Sequence, residues 1–164
     1  MAEVKTTTMS LFGSDTITVG GRLIKNLCSG EVGKDTYQND LGTVKTGKNG
    51  SAIFIKNETG YQATIEVHVI RGSEDDIALD TYIKNYLESP DKFVLLSAVV
   101  AKPFGTGAGE VQGSTGGTGK TDKLTLNNGI PTKNVDVVVN LDGDSEQAIS
   151  VYTYVFASTT RSIG

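Results

Sequence analysis

The clearest alternation in the chain runs from Ala63 to Ile70, where Ala63, Ile65, Val67 and Val69 interleave with Thr64, Glu66 and His68. A period of two over that length predicts a strand with one apolar and one wet face, Ile70 being the main exception. Past Arg71-Gly72 the period changes, and Ile77, Leu79, Tyr82, Ile83, Tyr86 and Leu87 recur at helical spacing. Ser73 stands at the N-cap position with Asp76 three residues on, a capping-box arrangement. Glu74 and Asp75 add negative charge at the positive end of the helix dipole. Ser89-Pro90 predicts the stop, because proline disfavours helical geometry in the residue before it and lacks the next N–H.

Elsewhere the pattern is that of short strands and turns. Thr16 to Val19 and Arg22 to Leu27 flank Gly20-Gly21, which reads as a hairpin turn. Gly42 to Thr46 and Ser51 to Lys56 flank Gly47-Lys48-Asn49-Gly50, whose Asn-Gly favours the positive dihedrals of a tight hairpin. Phe93 to Ala101 is a near-continuous apolar run, expected to be a central strand buried on both faces. Phe104 to Thr121 is dominated by glycine, threonine and serine, and predicts a long loop. Leu124 to Leu126, Val135 to Leu141 and Ile149 to Ala157 close the chain as strands, the last two joined by a turn at Asp142-Gly143-Asp144. On Ile149 to Ala157, Val151, Thr153 and Val155 oppose Tyr152, Tyr154 and Phe156, so both faces are usable. No internal repeat of fixed period is present.

At 164 residues, with 37% hydrophobic residues, 20 glycines and 3 prolines, the chain describes one folded, turn-rich domain over residues 1–164. A net charge of -4 argues against a chain that holds nucleic acid electrostatically. Against that balance, Lys45, Lys48 and Lys56 make the Gly42 to Lys56 hairpin basic, either as protection of an exposed edge or as a contact with a neighbouring subunit. The one cysteine, Cys28, excludes an internal disulfide and a cysteine-rich zinc site, and reads as a buried small hydrophobe. The N-terminus lacks the apolar core of a signal peptide and no window reaches the length of a membrane span, so the product is expected to stay in the cytosol.

Each constellation that resembles chemistry fails on a specific requirement. Ser114 to Thr121 nearly spells a phosphate-binding loop, but Ser114 occupies the first required glycine and strand-like sequence follows where a helix is needed. Val137 to Asp142 then has no partner as an acidic nucleotide-hydrolase strand. Asp142, Asp144 and Glu146 alternate like calcium ligands without the closing bidentate glutamate, and read as a solvated turn. Glu74, Asp75 and Asp76 are adjacent on an exposed first turn and read as capping residues. His68, the one histidine, lies on the wet face of its strand with nothing nearby to orient it. Asn57-Glu58-Thr59 fits a glycosylation sequon that needs secretion. No catalytic, cofactor or metal residue is assigned, and an enzyme is not expected.

The strand, the Arg71-Gly72-Ser73 turn, the acidic helix start at Ser73-Glu74-Asp75-Asp76, the apolar helix and the strand Lys92 to Ala101 together resemble the tail-tube proteins of long-tailed bacteriophages, of the contractile-tail type. The resemblance covers roughly residues 60–100. Ile77 stands where the family usually has a polar turn residue, and the glycine-rich stretch near residue 110 is longer than the family's. The resemblance implies a β-sandwich or small barrel with a flanking helix. It also implies a hexameric ring that stacks into a hollow tube, through which DNA passes without specific binding.

The expected partners are further copies of the chain, with tail sheath, baseplate and terminator proteins, in a virion assembled in the host cytoplasm. Expected subunit contacts are Val44, Lys45, Lys48, Asn49, Ile53 and Lys56 on the hairpin, with Phe104 and Lys120 bounding the glycine-rich stretch. Two alternatives stay open: the tube subunit of a contractile injection or type VI secretion system, and a carbohydrate-binding or adhesive β-sandwich. The second wants clustered exposed aromatics, yet tryptophan is absent and the tyrosines mostly fall at core-compatible positions.

Overall fold

The strand expected at Ala63 to Ile70 forms over those residues, with Ala63, Ile65, Val67 and Val69 buried and the intervening side chains on the opposite face. The computed structural model describes residues 10–11, 15–28, 31–105, 121–139, 141–143 and 145–164. Its strands are β1 (Ser10–Leu11), β2 (Thr16–Val19), β3 (Arg22–Leu23), β4 (Gly33–Tyr37), β5 (Gly42–Thr46), β6 (Ala52–Lys56), β7 (Ala63–Ile70), β8 (Leu96–Gly105), β9 (Thr121–Pro131) and β10 (Ile149–Ile163). One α-helix, α1 (Glu74–Glu88), lies among the described residues. The fold is mainly β with a single helix at its side, as expected from the sequence.

An antiparallel sheet of eight strands runs in the order β3-β2-β8-β9-β10-β7-β4, with β1 pairing β8, while among the described residues β5 and β6 pair only with each other. The two ends of that order meet. From β3 the chain crosses to β7, where Leu27 bridges Val69, the Ile70 N–H donates to the Asn26 carbonyl at 2.9 Å and the Cys28 N–H donates to the His68 carbonyl at 3.2 Å. On β4, the space beside Gly33 is occupied by the Ile17 side chain of β2. The sheet is therefore curled into a barrel around Ile17, Val19, Ile65, Val67, Leu126, Tyr154 and Phe156.

Helix α1 covers the inner face. Ser73 Oγ accepts from the Asp76 N–H at 3.2 Å as the N-cap, and Asp76 reaches back to accept from the Gly72 N–H at 2.8 Å. Leu79 and Ile83 are buried, whereas Ile77 and Leu87, counted with them in the sequence, face solvent. Two inward tyrosines of β10 reach the helix backbone: Tyr152 donates to the Asp76 carbonyl at 2.8 Å, Tyr154 to the Leu79 carbonyl at 3.0 Å. Burial pushes both hydroxyls above the ordinary tyrosine range, keeping them as donors.

Several expected boundaries are corrected. The partner of β2 ends at Leu23, because the Lys25 and Asn26 N–H groups are captured by a side chain from α1 and leave the ladder. The apolar run Phe93 to Ala101 is not buried on both faces. Its strand starts at Leu96, after a short 3-10 turn at Pro90–Lys92, and Val94 is 82% exposed. β9 and β10 are longer than expected, and Val135 to Val139 form no strand.

In β9, Asn128 takes a positive φ of 59°. There the inward positions shift from Leu124 and Leu126 to Gly129 and Pro131, and in β10 from Phe156 to Thr159. β8 has a bulge between Leu96 and Ala98 at the same level. The loop expected over Phe104 to Thr121 is shorter at both ends, since Phe104 and Gly105 belong to β8 and Thr121 opens β9; residues 106–120, like Asp144, lie outside the described residues.

Candidate assembly surface

Hairpin β5–β6 combines a well-formed turn with two strands that are exposed along their whole length. Asn49 Oδ1 accepts from the Ser51 N–H at 3.1 Å, and Gly50 supplies the φ of 89° that the turn needs. Every residue of both strands is exposed. Val44 opposes Phe54 in the register and shares its face, while Ile53 and Ile55 point the other way. Phe54 is 79% exposed and Ile53 67%, so neither face of this two-stranded sheet rests on the barrel. At the base, Lys56 lies 3.7 Å from Glu58 and 5.6 Å from the Tyr61 ring centre, and the Glu58 charge raises its pKa.

Of the expected contact residues, the structure brings Val44, Lys45, Lys48, Asn49, Ile53 and Lys56 together on this hairpin. Phe104 ends elsewhere, in β8 opposite Leu11; its side chain and Lys120 lie outside the described residues. Sequence reasoning passed over Phe54, although Ala52-Ile53-Phe54-Ile55 breaks alternation and so marks a strand that is apolar on both faces. It also passed over the exposure of the 134–141 segment. Val137, Val138, Val139 and Leu141 are exposed there, Val139 at 85%. Arg71 ties this segment to the barrel: its guanidinium donates to the Gln147 carbonyl at 2.6 Å, the Ile149 carbonyl at 2.9 Å and the Asp136 carbonyl at 3.4 Å.

Two carboxyls with perturbed protonation belong to the framework. Asp75 corrects the capping assignment, since it is buried and points away from the helix end. It accepts from Arg22 Nε and from the Lys25 and Asn26 N–H groups, each at 2.8 Å, and from Asn26 Nδ2 at 3.0 Å. Burial alone raises a carboxyl pKa, but these four donors outweigh it and hold Asp75 below the ordinary range. Asp35 on β4 is the converse: its Oδ1 is buried without a partner, and burial pushes the carboxyl up to about 6.

His68, expected to have no orienting group, has Glu66 Oε1 at 2.6 Å from Nε2. The pair sits on the outer sheet face, and Cys28 meets His68 through the backbone, its N–H donating to the His68 carbonyl. Cys28 is half-buried, and burial raises its thiol. A groove of about 400 Å³ between α1 and the segment near Val135 is lined by Arg71, Asp76, Asp80 and Asn134. No cluster of metal-ligating side chains forms among the described residues. No helix there is long and apolar enough to cross a membrane.

No protein-family model matches the sequence, and no curated protein does. The fold does match solved structures. The cap that terminates the tube of the anti-feeding prophage, determined by cryo-electron microscopy, superposes with a TM-score of 0.64 at 10% identity, over 99% of this chain and 97% of that one. At that identity the likeness is one of fold.

Proposed function

We propose that this chain is a structural subunit of a phage-tail-like tube, in which copies close into hexameric rings and the rings stack into a conduit for DNA. The observation that carries the reading is the end-to-end likeness of fold to a component that terminates such a tube. Two features of the surface support it. The apolar hairpin β5–β6 has no use within the subunit and suits contact between copies. The outer sheet face presents Thr16, Thr18, Thr64, Thr125 and Thr153 beside Glu66 and His68, with Lys34 and Lys123 as single, separated bases, and a wall so thinly charged suits phosphates that slide without being trapped.

The neighbour favours one variant: a subunit that ends a tube, or builds that of a contractile injection system, with sheath, baseplate or terminator proteins as further partners. Negative-stain electron microscopy across a concentration series, with light scattering for mass, separates the readings. Hollow tubes of uniform width and growing length identify a tube subunit, and single rings that never stack identify a cap. Deleting Gly47 to Gly50 is expected to leave a folded monomer that no longer assembles; tubes of normal length from that variant would sink the role given to the hairpin. A chain that stays monomeric and binds glycans instead belongs to the adhesive class.

A further inference from the structure

Hairpin β5–β6 and the 134–139 segment complete each other, but they sit at opposite ends of the barrel. The hairpin springs from the Ala63 end of β7, where Tyr37 pairs with Ala63 and the Asn57 N–H donates to the Leu41 carbonyl at 2.9 Å. The segment is held at the other end, where the Arg71 N–H donates to the Ala148 carbonyl at 2.8 Å and the Arg71 side chain reaches Asp136. The eight residues of β7 separate them by roughly 26 Å. Within one chain they do not meet.

We infer that the Asn134–Val139 segment of one copy adds as a third strand to the β5–β6 hairpin of a second copy, an inference that rests on the assembly reading above. Four observations converge on it. The segment has strand composition, with Val137, Val138 and Val139 in sequence, yet it has no strand partner and its side chains from Val137 to Val139 are exposed. Among the described residues nothing pairs with the outer edge of β5 or of β6, and a two-stranded sheet exposed on both faces is marginal alone.

The apolar patterns also match: Val44 and Phe54 on one hairpin face and Ile53 and Ile55 on the other accept a strand that is apolar on both sides. Charge complements shape, since residues 42–56 carry three lysines and no acid, while residues 133–146 carry four acids against one lysine. Within the added strand the one acid is Asp136, which holds Lys133 at 3.1 Å on the surface; the other three follow it at residues 142–146. Because the two surfaces differ and lie at opposite ends, the contact is head-to-tail and repeats from copy to copy.

The decisive substitutions are Val137→Pro and Val138→Pro, made singly: alternate N–H groups of a strand point to opposite edges, neither N–H is used among the described residues of the isolated subunit, and one of the two must face the hairpin. For at least one of them the concentration for assembly, read by light scattering, is expected to rise at least about tenfold with an unchanged circular dichroism spectrum, while Val138→Thr assembles like the parent. In a Cys28→Ser background, Ile53→Cys and Ile55→Cys chains are each mixed with Val137→Cys or Val138→Cys chains and oxidised. Covalent dimers that require both partners are expected.

Normal assembly by both proline variants, or parent-like assemblies without a cross-link in any pairing, overturns the strand addition and leaves the tube reading standing. If the unmodified chain assembles at no concentration, the tube reading fails and the inference with it.

Discussion

The seam between α1 and β10 and the hairpin β5–β6 show what the same kinds of side chain do in two settings. At the seam, Tyr152, Tyr154, Leu79 and Ile83 are buried and the two hydroxyls donate to helix carbonyls, while on the helix's other side Asp75 meets four donors from residues 22–26. On the hairpin, Val44, Ile53, Phe54 and Ile55 are equally apolar and touch no core. Burying one such side chain is worth about 1.5–3 kcal/mol. The seam therefore holds the subunit together, while the hairpin keeps a comparable apolar surface that the isolated subunit does not use. Substitutions that sort stability from assembly test that division.

The largest effect is expected at Asp75. Asp75→Ala removes the carboxylate that receives Arg22 and the Lys25 and Asn26 N–H groups; Arg22, half-exposed, can turn to water, but the two part-buried backbone donors lose their acceptor, at a cost of about 3 kcal/mol. Urea unfolding at neutral pH checks it, and a midpoint equal to the parent's would remove Asp75 from the framework. The pH dependence has a definite sign. The folded-state pKa lies below the unfolded value of 3.8, so the stabilisation is fully present above that value and is lost as pH falls through the folded pKa. The parent and Asp75→Asn should converge in strong acid.

Next is Gly129→Ala, where a Cβ would meet the Phe156 ring at the kink shared by β9 and β10. Overpacking of this kind costs about 2–3 kcal/mol. Phe156→Leu in the same chain should recover part of the loss, because the two positions share one volume. Strictly additive losses in thermal unfolding would place the strain elsewhere.

How well the sequence could be read follows the same division. β7, α1 and both early turns were legible because each is fixed by local chemistry: alternation, a cap, a proline, and glycines at φ of 59° and 81° in Gly20-Gly21. Asp75 was misread because its partners lie 49 to 53 residues away, and an acid in a first helical turn looks the same whether it caps or reaches across the barrel. Val135 to Val139 carry the composition of a strand, but pairing needs a free edge within reach, which sequence composition does not report. The hairpin contact residues were legible as a hairpin. That none of them packs on the barrel was not, since exposure is a property of what the rest of the chain leaves uncovered.

Asp35→Asn moves stability the other way. With the folded carboxyl at about 6 against 3.8 unfolded, the native state binds the proton more tightly, so the parent loses stability as pH rises between those values and stays lowered above them. Removing the charge should stabilise the chain by ~2 kcal/mol near pH 8 and by almost nothing in acid. Unfolding midpoints at the two pH values check it. A variant less stable than the parent at both would mean that the unpaired Oδ1 has a partner in solution.

The smallest effect on stability is expected where the effect on assembly is largest. Replacing Ile53 and Phe54 together by serine removes the apolar side chains from both hairpin faces but empties no cavity, because neither residue contacts the core. Global stability should stay within about 0.5 kcal/mol of the parent, as for other surface changes. The cross-strand pair Val44 and Phe54 contributes only locally, so its loss should speed hydrogen exchange in β5 and β6 and leave β7 and β10 protected. Assembly should disappear. If global stability instead falls by more than about 2 kcal/mol, the hairpin is packed on the barrel in solution, and the division between seam and hairpin fails at its weaker side.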